Sequence, residues 1–563
     1  SATMPDRLQK LPIGIQTFRQ IREDDCCYVD KTGFAVRLAE AGKYYFLSRP
    51  RRFGKSLFLD TLAELFRGNR DLFTGLEAEQ GWDWSQRYPV IRFSFGGGLV
   101  RRPDQLETKI REQLSINQEL LGIVCEQPAV AGCFAELIRR AHARFGQPAV
   151  VLVDEYDKPI LDNITQPDLA AEMREGLRDL YSVIKDADAD IRFAFLTGVS
   201  KFSMVSLFSG LNQLRDITLS ADYATLCGYT QRDLETTFAA HLSGVDRDEL
   251  RTWYNGYAFL GEPVYNPFDI LLFISRGHSY RNYWFETGSP SFLLKLFQSK
   301  RYFLPELEAV EVSEEILDAF DVERINPVTL LFQSGYLTIA ETVRRRGRLL
   351  FRLRIPNQEV RFALYDQLIT GYTGIENDRS RWQDGLYDTL AAGDLPGLIA
   401  TLKRLFSGIP WRNFTHNDLP EAEGYYASVL YAFFASLNAQ VIPEDISNQG
   451  QVDLTVRIEG YTYVMEIKLR RDTRPTGPPN QSETSAAGAT ATVSAETGGQ
   501  GEVERPVTPQ TDPGDVNPAL AQIQARGYSA KYRDQPGKGL FEVGLVFSRA
   551  ERNLIQADWH RVE

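Results

Sequence analysis

Over roughly the first 220 residues, short apolar runs alternate with helical patterns. Tyr44–Ser48, Val90–Phe95, Ala149–Val153 and Ile191–Leu196 are rich in aromatic or β-branched residues, and each predicts a strand. Ala149–Val153 is apolar throughout, as expected of a strand covered on both faces. Leu57–Phe66 sets Phe58, Leu62, Leu65 and Phe66 on one side of a helix. Such alternation predicts an α/β fold, a parallel sheet flanked by helices, over residues 4–224. Ser1-Ala2-Thr3 ahead of Met4 reads as an expression scar.

The pattern then changes. Residues 225–300 are helix-rich and aromatic and predict a helical lid. Residues 301–385 predict helices followed by a hairpin, Gly335–Ala340 and Leu349–Ile355, in a winged-helix-like arrangement. Arg344-Arg345-Arg346-Gly347-Arg348 at its tip is either a solvated turn or a nucleic-acid contact. Residues 386–563 predict a last α/β unit interrupted at 473–517. That stretch has almost no large apolar residues, so burial cannot offset its ordering entropy, and a mobile insertion is expected.

The chain has 563 residues, long enough for two to four domains, and 43% hydrophobic with 25% charged residues is ordinary for a globular protein. A disordered chain, a collagen repeat and a coiled-coil rod are excluded. The net charge of −12 argues against a chain coated in nucleic acid but permits a local basic groove. Five cysteines include no C-x-x-C pair, so no zinc ribbon is indicated and reduced thiols are expected. Five scattered histidines disfavour a His-based metallohydrolase. No apolar run reaches the ~20 residues of a membrane helix, and no signal pattern opens the chain. A cytoplasmic protein with no membrane partner is expected.

Ser48-Arg49-Pro50-Arg51-Arg52-Phe53-Gly54-Lys55-Ser56 links the first predicted strand to the first helix. Its end fits the phosphate-loop pattern G-x-x-x-x-G-K-[ST], with Arg49 in place of the first glycine. Backbone N–H groups of Arg52, Phe53 and Gly54 would attract phosphate oxygens. Lys55 would reach the terminal phosphates and Ser56 would ligate Mg²⁺. A chance G-K-S is the bland alternative, and the strand–loop–helix context outweighs it. Asp154-Glu155 ends the most apolar strand. Asp154 would hold the Mg²⁺ shell and Glu155 would polarise the attacking water. Asp157 reads as the opening of the next helix. Thr197 ends another strand, where a hydroxyl can contact the γ-phosphate or the water; a plain turn is the alternative. Arg215 is the arginine-finger candidate. Arg49, Arg51 and Arg52 either share that role or pair with carboxylates.

A second constellation lies near the C-terminus. Gln451–Val456 and Tyr461–Leu469 predict two strands joined by a Glu-Gly turn. Period-2 geometry puts Glu466 and Lys468 on one face, and Asp453 can face the same side. Buried charges are costly unless paired or bound to metal. Asp453 and Glu466 would hold one or two metal ions, with Lys468 orienting water or stabilising the phosphorane-like transition state. Glu423 could add a ligand. An E-x-K on a strand is often only an ion pair. Gln522-Ile523 with Tyr528 and Tyr532 forms a polar and aromatic face for a nucleic-acid backbone, or a helix docked through Ile523.

Leu47–Phe58, Val151–Pro159 and Phe195–Phe202 resemble the AAA-ATPase-like family of bacteria and archaea. Gly450–Asp453, Met465–Lys468 and Ala519–Ile523 are similar to the PD-(D/E)XK nuclease part of that family, and Tyr265-Asn266-Pro267, Tyr283-Trp284 and Thr287-Gly288 fit its middle. The resemblance implies a restriction-endonuclease-like C-terminal domain. It implies ATP and Mg²⁺ as cofactors, with Mn²⁺ an option at the nuclease site. Nucleic acid is the implied partner, DNA ahead of RNA, and a homo-oligomer is allowed. Arg49 agrees with the family's R-P-R-R-F-G-K-S loop. The insertion before Gln522 departs from its compact pattern. A role in defence against mobile DNA is an expectation by analogy.

Overall fold

The computed structural model describes residues 8–284, 294–295, 297, 302–308, 310–318, 321–410, 413, 424–446, 451–470 and 516–563. Glu423, Thr287-Gly288, Gly450 and all of the 473–517 segment except Val516 and Asn517 lie outside the described residues. The chain divides into two units. One joins residues 1–293 to 311–359; the other joins residues 294–310 to 360–563.

The first unit is built on β1 (Tyr44–Ser48), β2 (Val90–Ser94), β3 (Ala149–Asp154), β4 (Ile191–Gly198) and β5 (Arg215–Asp216). They form one parallel sheet in the order β2-β3-β4-β1-β5. Every residue of β1 and β3 is buried, which a sheet achieves only with both faces covered. The covering helices include α1 (Lys55–Arg67), α2 (Pro103–Leu121), α3 (Val130–Phe145) and α4 (Pro167–Asp186). β4 sits between β1 and β3, so the loops after all three meet at one edge, the usual place for a ligand in an open α/β sheet.

Five reduced thiols were expected; instead Cys125 and Cys133 are joined as a disulfide with Cα atoms 5.4 Å apart, because the turn between α2 and α3 folds the two back on each other. Cys26, Cys27 and Cys227 are free and buried.

Further along are α5 (Pro267–Ser275), β6 (Glu311–Ser313), α6 (Pro327–Gln333), β7 (Thr338–Arg345) and β8 (Arg348–Arg354). The three strands form a sheet in the order β6-β8-β7. The predicted hairpin is present, but β7 begins at Thr338 and not Gly335. Amides of Gly335 and Tyr336 bond back to Phe332 and Leu331, closing a turn first. α6 is buried from Val328 to Gln333, so here the hairpin meets solvent and the helix does not.

Asp269 of α5 and Glu359 are fully buried, and their carboxyl groups lie within hydrogen-bonding reach of each other. Glu359 also accepts from the Trp284 amide at 3.1 Å. Burial pushes Asp269 from 3.8 up to about 7, and burial together with the Asp269 charge pushes Glu359 up. A raised carboxyl pKa means the folded state holds the proton longer. Stability is therefore full below pH ~4 and is lost as pH rises towards 7, by up to about 4 kcal/mol for three units. Glu359→Gln keeps the Trp284 bond and supplies a permanent donor to Asp269. Urea midpoints of the first unit between pH 5 and 8 should fall less in this variant than in the wild type; equal slopes would refute the shared proton.

The second unit contains β9 (Gln440–Ile446), β10 (Val452–Ile458), β11 (Tyr461–Arg470), α7 (Pro518–Arg526), β12 (Gly539–Ser548) and β13 (Asn553–Val562). Its sheet runs β13-β12-β11-β10-β9; β11 and β12 are parallel and the other pairs antiparallel. α7 packs Leu520 and Ile523 on Val464 and Leu540. Gly544 makes that approach possible, since a β-carbon there would clash with the Leu520 amide and the Asn517 side chain.

Candidate functional site

In the first unit, Arg49–Gly54 carries the chain from β1 to α1. Arg52 and Gly54 adopt left-handed φ of 67° and 91°. Gly54 has open space around it, so conformation asks for glycine there. It caps α1 without any side chain on the first amides, leaving those N–H groups for whatever the loop encloses. The Lys55 ammonium is buried, 2.7 and 2.8 Å from the Arg49 and Pro50 carbonyl oxygens. Burial lowers its pKa, opposed by the Glu155 and Asp154 carboxylates. The Trp284 indole donates to the Arg51 carbonyl at 3.1 Å and Phe53 packs on Tyr257, which braces the loop from outside.

Asp154 gathers the site. It accepts from the Ser56 hydroxyl at 2.5 Å and from the Thr197 hydroxyl at 2.8 Å. Residues from β3, α1 and β4 thus converge on one carboxylate, the arrangement that supports a cation beside a phosphate. Glu155 follows with φ 53°, and burial, then Asp154, raises its pKa. Its carboxylate lies against Gly96, where any side chain would collide. The Gly96-Gly97-Gly98 loop after β2 was the sequence signal for this neighbour, and sequence reasoning missed it.

Asp157 stands at the N-cap position of the short helix Lys158–Leu161, as expected, but its side chain does not cap it: it is buried and accepts from the Ser200 amide at 2.8 Å and hydroxyl at 2.6 Å, tying the β3 and β4 loops together. Three readings change. Arg49 is also fully buried, donating to the Thr218 carbonyl at 2.7 Å and stacking 3.9 Å above Phe259. It is a brace, not a charge beside phosphates. Arg52 stacks on Phe268. Arg215 is registered with Tyr45, three residues (about 10 Å) before the end of β1, and lies over Tyr223, so it does not reach the loop. Beside Gly54 is a mainly apolar cavity lined in part by Cys27, Tyr28, Lys31, Phe53, Leu226 and Tyr229. Sequence reasoning missed it because its walls come from segments about 200 residues apart.

In the second unit, Asp453 and Glu466 are directly opposite on β10 and β11, as predicted, and both are buried. Lys468 lies on the same face, 3.7 Å from Glu466. Asp453 Oδ1 and Glu466 Oε2 are buried with no hydrogen-bond donor. Facing carboxylate oxygens are both acceptors, so they need a donor or a cation between them. Burial, then the Asp453 charge, pushes Glu466 up to about 8; burial also raises Asp453. Such a pair fits a divalent cation.

Two members were not foreseen. Asp445 on β9 is registered opposite Asp453. Arg526, at the end of α7, donates to Asp453 at 2.7 Å and Asp445 at 3.0 Å, and the Tyr528 hydroxyl bonds Asp445 at 3.0 Å. Arg526 lies one helical turn after Gln522 on the same face, which was its sequence signal. Tyr532 is not part of an open face: it is buried and bonded to Glu444.

Residues 12–208 match the family model described as predicted AAA-ATPase, and residues 421–485 match that of the PD-(D/E)XK nuclease superfamily. An uncharacterized protein in the vnfD 5′ region of Azotobacter chroococcum mcd 1 is 49% identical over 548 residues, covering 97% of this chain and 98% of that protein. Among the described residues, no helix is long and apolar enough to cross a membrane. The P-loop unit, the paired carboxylates of the second sheet and a relative of nearly equal length agree: the chain belongs to the AAA-ATPase-like family and carries a PD-(D/E)XK nuclease-superfamily domain towards its C-terminus.

Proposed function

We propose that the chain binds and hydrolyses ATP in its first unit and uses that cycle to control a metal-dependent nuclease in its second. The observation that carries the nuclease reading is the facing pair Asp453 and Glu466, whose buried oxygens lack any donor. The apolar cavity beside Gly54 takes the base, the α1 amides and Lys55 take the phosphates, and Ser56 and Asp154 hold Mg²⁺. Glu155 orients the attacking water, with Thr197 fixing Asp154. At the nuclease site Asp453 and Glu466 hold Mg²⁺ or Mn²⁺, with Asp445 at its edge. The bound metal would supply a water of lowered pKa and neutralise phosphate charge. Lys468 would orient the attacking water, and Arg526 would move from the carboxylates to a phosphate oxygen. DNA is the proposed substrate, and defence against mobile DNA the proposed role.

One observation favours a second reading, a nucleotide-dependent switch that binds without cutting. Arg526 already spans Asp453 and Asp445, and a guanidinium kept there would exclude a metal. Cleavage of plasmid, linear duplex, single-stranded DNA and RNA in Mg²⁺, with and without ATP, separates the two. Cleavage that changes with ATP is the expected result. ATP binding with no cleavage of any of the four would replace the nuclease with the switch.

A further inference from the structure

The chain as a whole is acidic, yet the tip of the β7–β8 hairpin concentrates unneutralised positive charge. Between Arg344 and Arg354 the hairpin carries six arginines and no lysine. Part of this charge is balanced: Arg345, beside the turn, and Arg352 both pair with Glu311, and Arg352 also pairs with Glu341. Arg354 donates to the Gly256 carbonyl at 3.4 Å. Arg344, Arg346 and Arg348 are exposed, and among the described residues none has an ion pair or side-chain hydrogen bond.

This tip works against its own folding. Arg345 and Arg348 are registered directly opposite each other, a like-charge pair in which Glu311 compensates Arg345 alone. The two-residue turn Arg346-Gly347 has φ of 51° and 78°, a geometry that favours Asn-Gly or Asp-Gly. An arginine in the left-handed region is the strained choice. A turn selected only for stability would carry asparagine at 346. Guanidinium groups match phosphate oxygens in fork geometry, which lysines do not. α6, the helix before the hairpin, is buried and offers no face to a groove, so contact through the tip is with the backbone and is independent of base sequence.

From this geometry we infer that the hairpin tip is a phosphate-backbone docking element for duplex DNA, carried by the ATPase unit and separate from the Asp453–Glu466 centre. The choice of DNA rests on the nuclease reading; the use of the tip does not.

The test uses the full chain and a short mixed-sequence DNA duplex, with EDTA to prevent cleavage. Anisotropy titrations across a salt series compare the wild type with Arg344→Gln/Arg346→Asn/Arg348→Gln. Losing three phosphate contacts should reduce the slope of log K against log salt by up to about 2.7, at about 0.9 per contact. Affinity at low salt should fall at least tenfold. Asparagine suits the left-handed position, so the thermal midpoint should hold or rise, which separates lost docking from misfolding. An unchanged slope in the triple variant, or no binding by the wild type, overturns the inference. So does a salt-sensitive loss seen only with anionic phospholipid vesicles. Cleavage that depends on Asp453 but not on the tip leaves the nuclease reading standing. Tip-dependent binding without cleavage does the reverse.

Discussion

Asp453→Asn and Glu466→Gln should each abolish metal-dependent cleavage while leaving the second unit folded. A ligand that positions a metal contributes several kcal/mol to the transition state, so the expected loss is on the order of 10³-fold or more. The stability side of the prediction makes it specific. Each wild-type carboxyl is buried, and burial raises the pKa of both. An amide in place of either one removes charge repulsion and supplies a donor to the facing oxygen, so the thermal midpoint should hold or rise. Arg526 loses little in Asp453→Asn, because its side chain is 41% exposed and keeps Asp445 at 3.0 Å. Activity lost with stability kept is the mark of residues held in place for chemistry. If either substitution instead melts the unit, the carboxylates are a structural pair and the proposed metal centre falls. A direct readout needs no substrate: Mn²⁺ binding followed by paramagnetic relaxation should lose the second unit's site in both variants, leaving only what Asp154→Asn removes.

How much of this was legible in the chain depended on whether the signal was local. β1, β3 and β4 announce themselves as apolar runs, because strands covered on both faces need no polar alternation. Gly54-Lys55-Ser56 and Asp154 were readable because loop conformation and strand-end position are set within a few residues. Glu466 and Lys468 followed from the period of one strand, and Asp453 from a short turn that fixes the register. Asp445 was hidden because Pro443 interrupts the strand pattern of β9, and its pairing with Asp453 crosses a bulge. Arg526 was hidden because the 473–517 segment separates it in sequence from the carboxylates it meets. Arg49 misled for the opposite reason. Its place in an Arg-rich loop suggested phosphate, whereas Phe259 and the Thr218 carbonyl, about 210 and 170 residues on, hold it in the core.

Lys55→Ala should remove ATP binding without unfolding the first unit, and this separates the two halves of the proposed mechanism. Truncating one member of a buried charged contact costs about 2–5 kcal/mol, so ATP affinity should fall by at least tenfold and up to several thousandfold. Folding should change far less. The Lys55 ammonium is buried against two carbonyls with its pKa lowered, so its removal relieves a desolvated charge while freeing only those two acceptors. Binding is readable without turnover. ATP at 100 times the wild-type Kd should stabilise the wild type by about 2.7 kcal/mol, seen as a raised thermal midpoint, and Lys55→Ala by about 1.4 kcal/mol at most, falling to nothing at a thousandfold loss of affinity. Ser56→Ala tests the same site with less disruption, since it removes one hydroxyl from Asp154. Under control by ATP, cleavage by Lys55→Ala stays at the wild type's ATP-free level whatever nucleotide is added. If the variant still cuts, and ATP still changes its rate, the nucleotide acts elsewhere and the proposed coupling through the Lys55 loop is wrong. If it has lost the ATP-induced shift but cuts as the ATP-bound wild type does, the Lys55 contacts to the Arg49 and Pro50 carbonyls are themselves the restraint that ATP releases, and control by the loop stands.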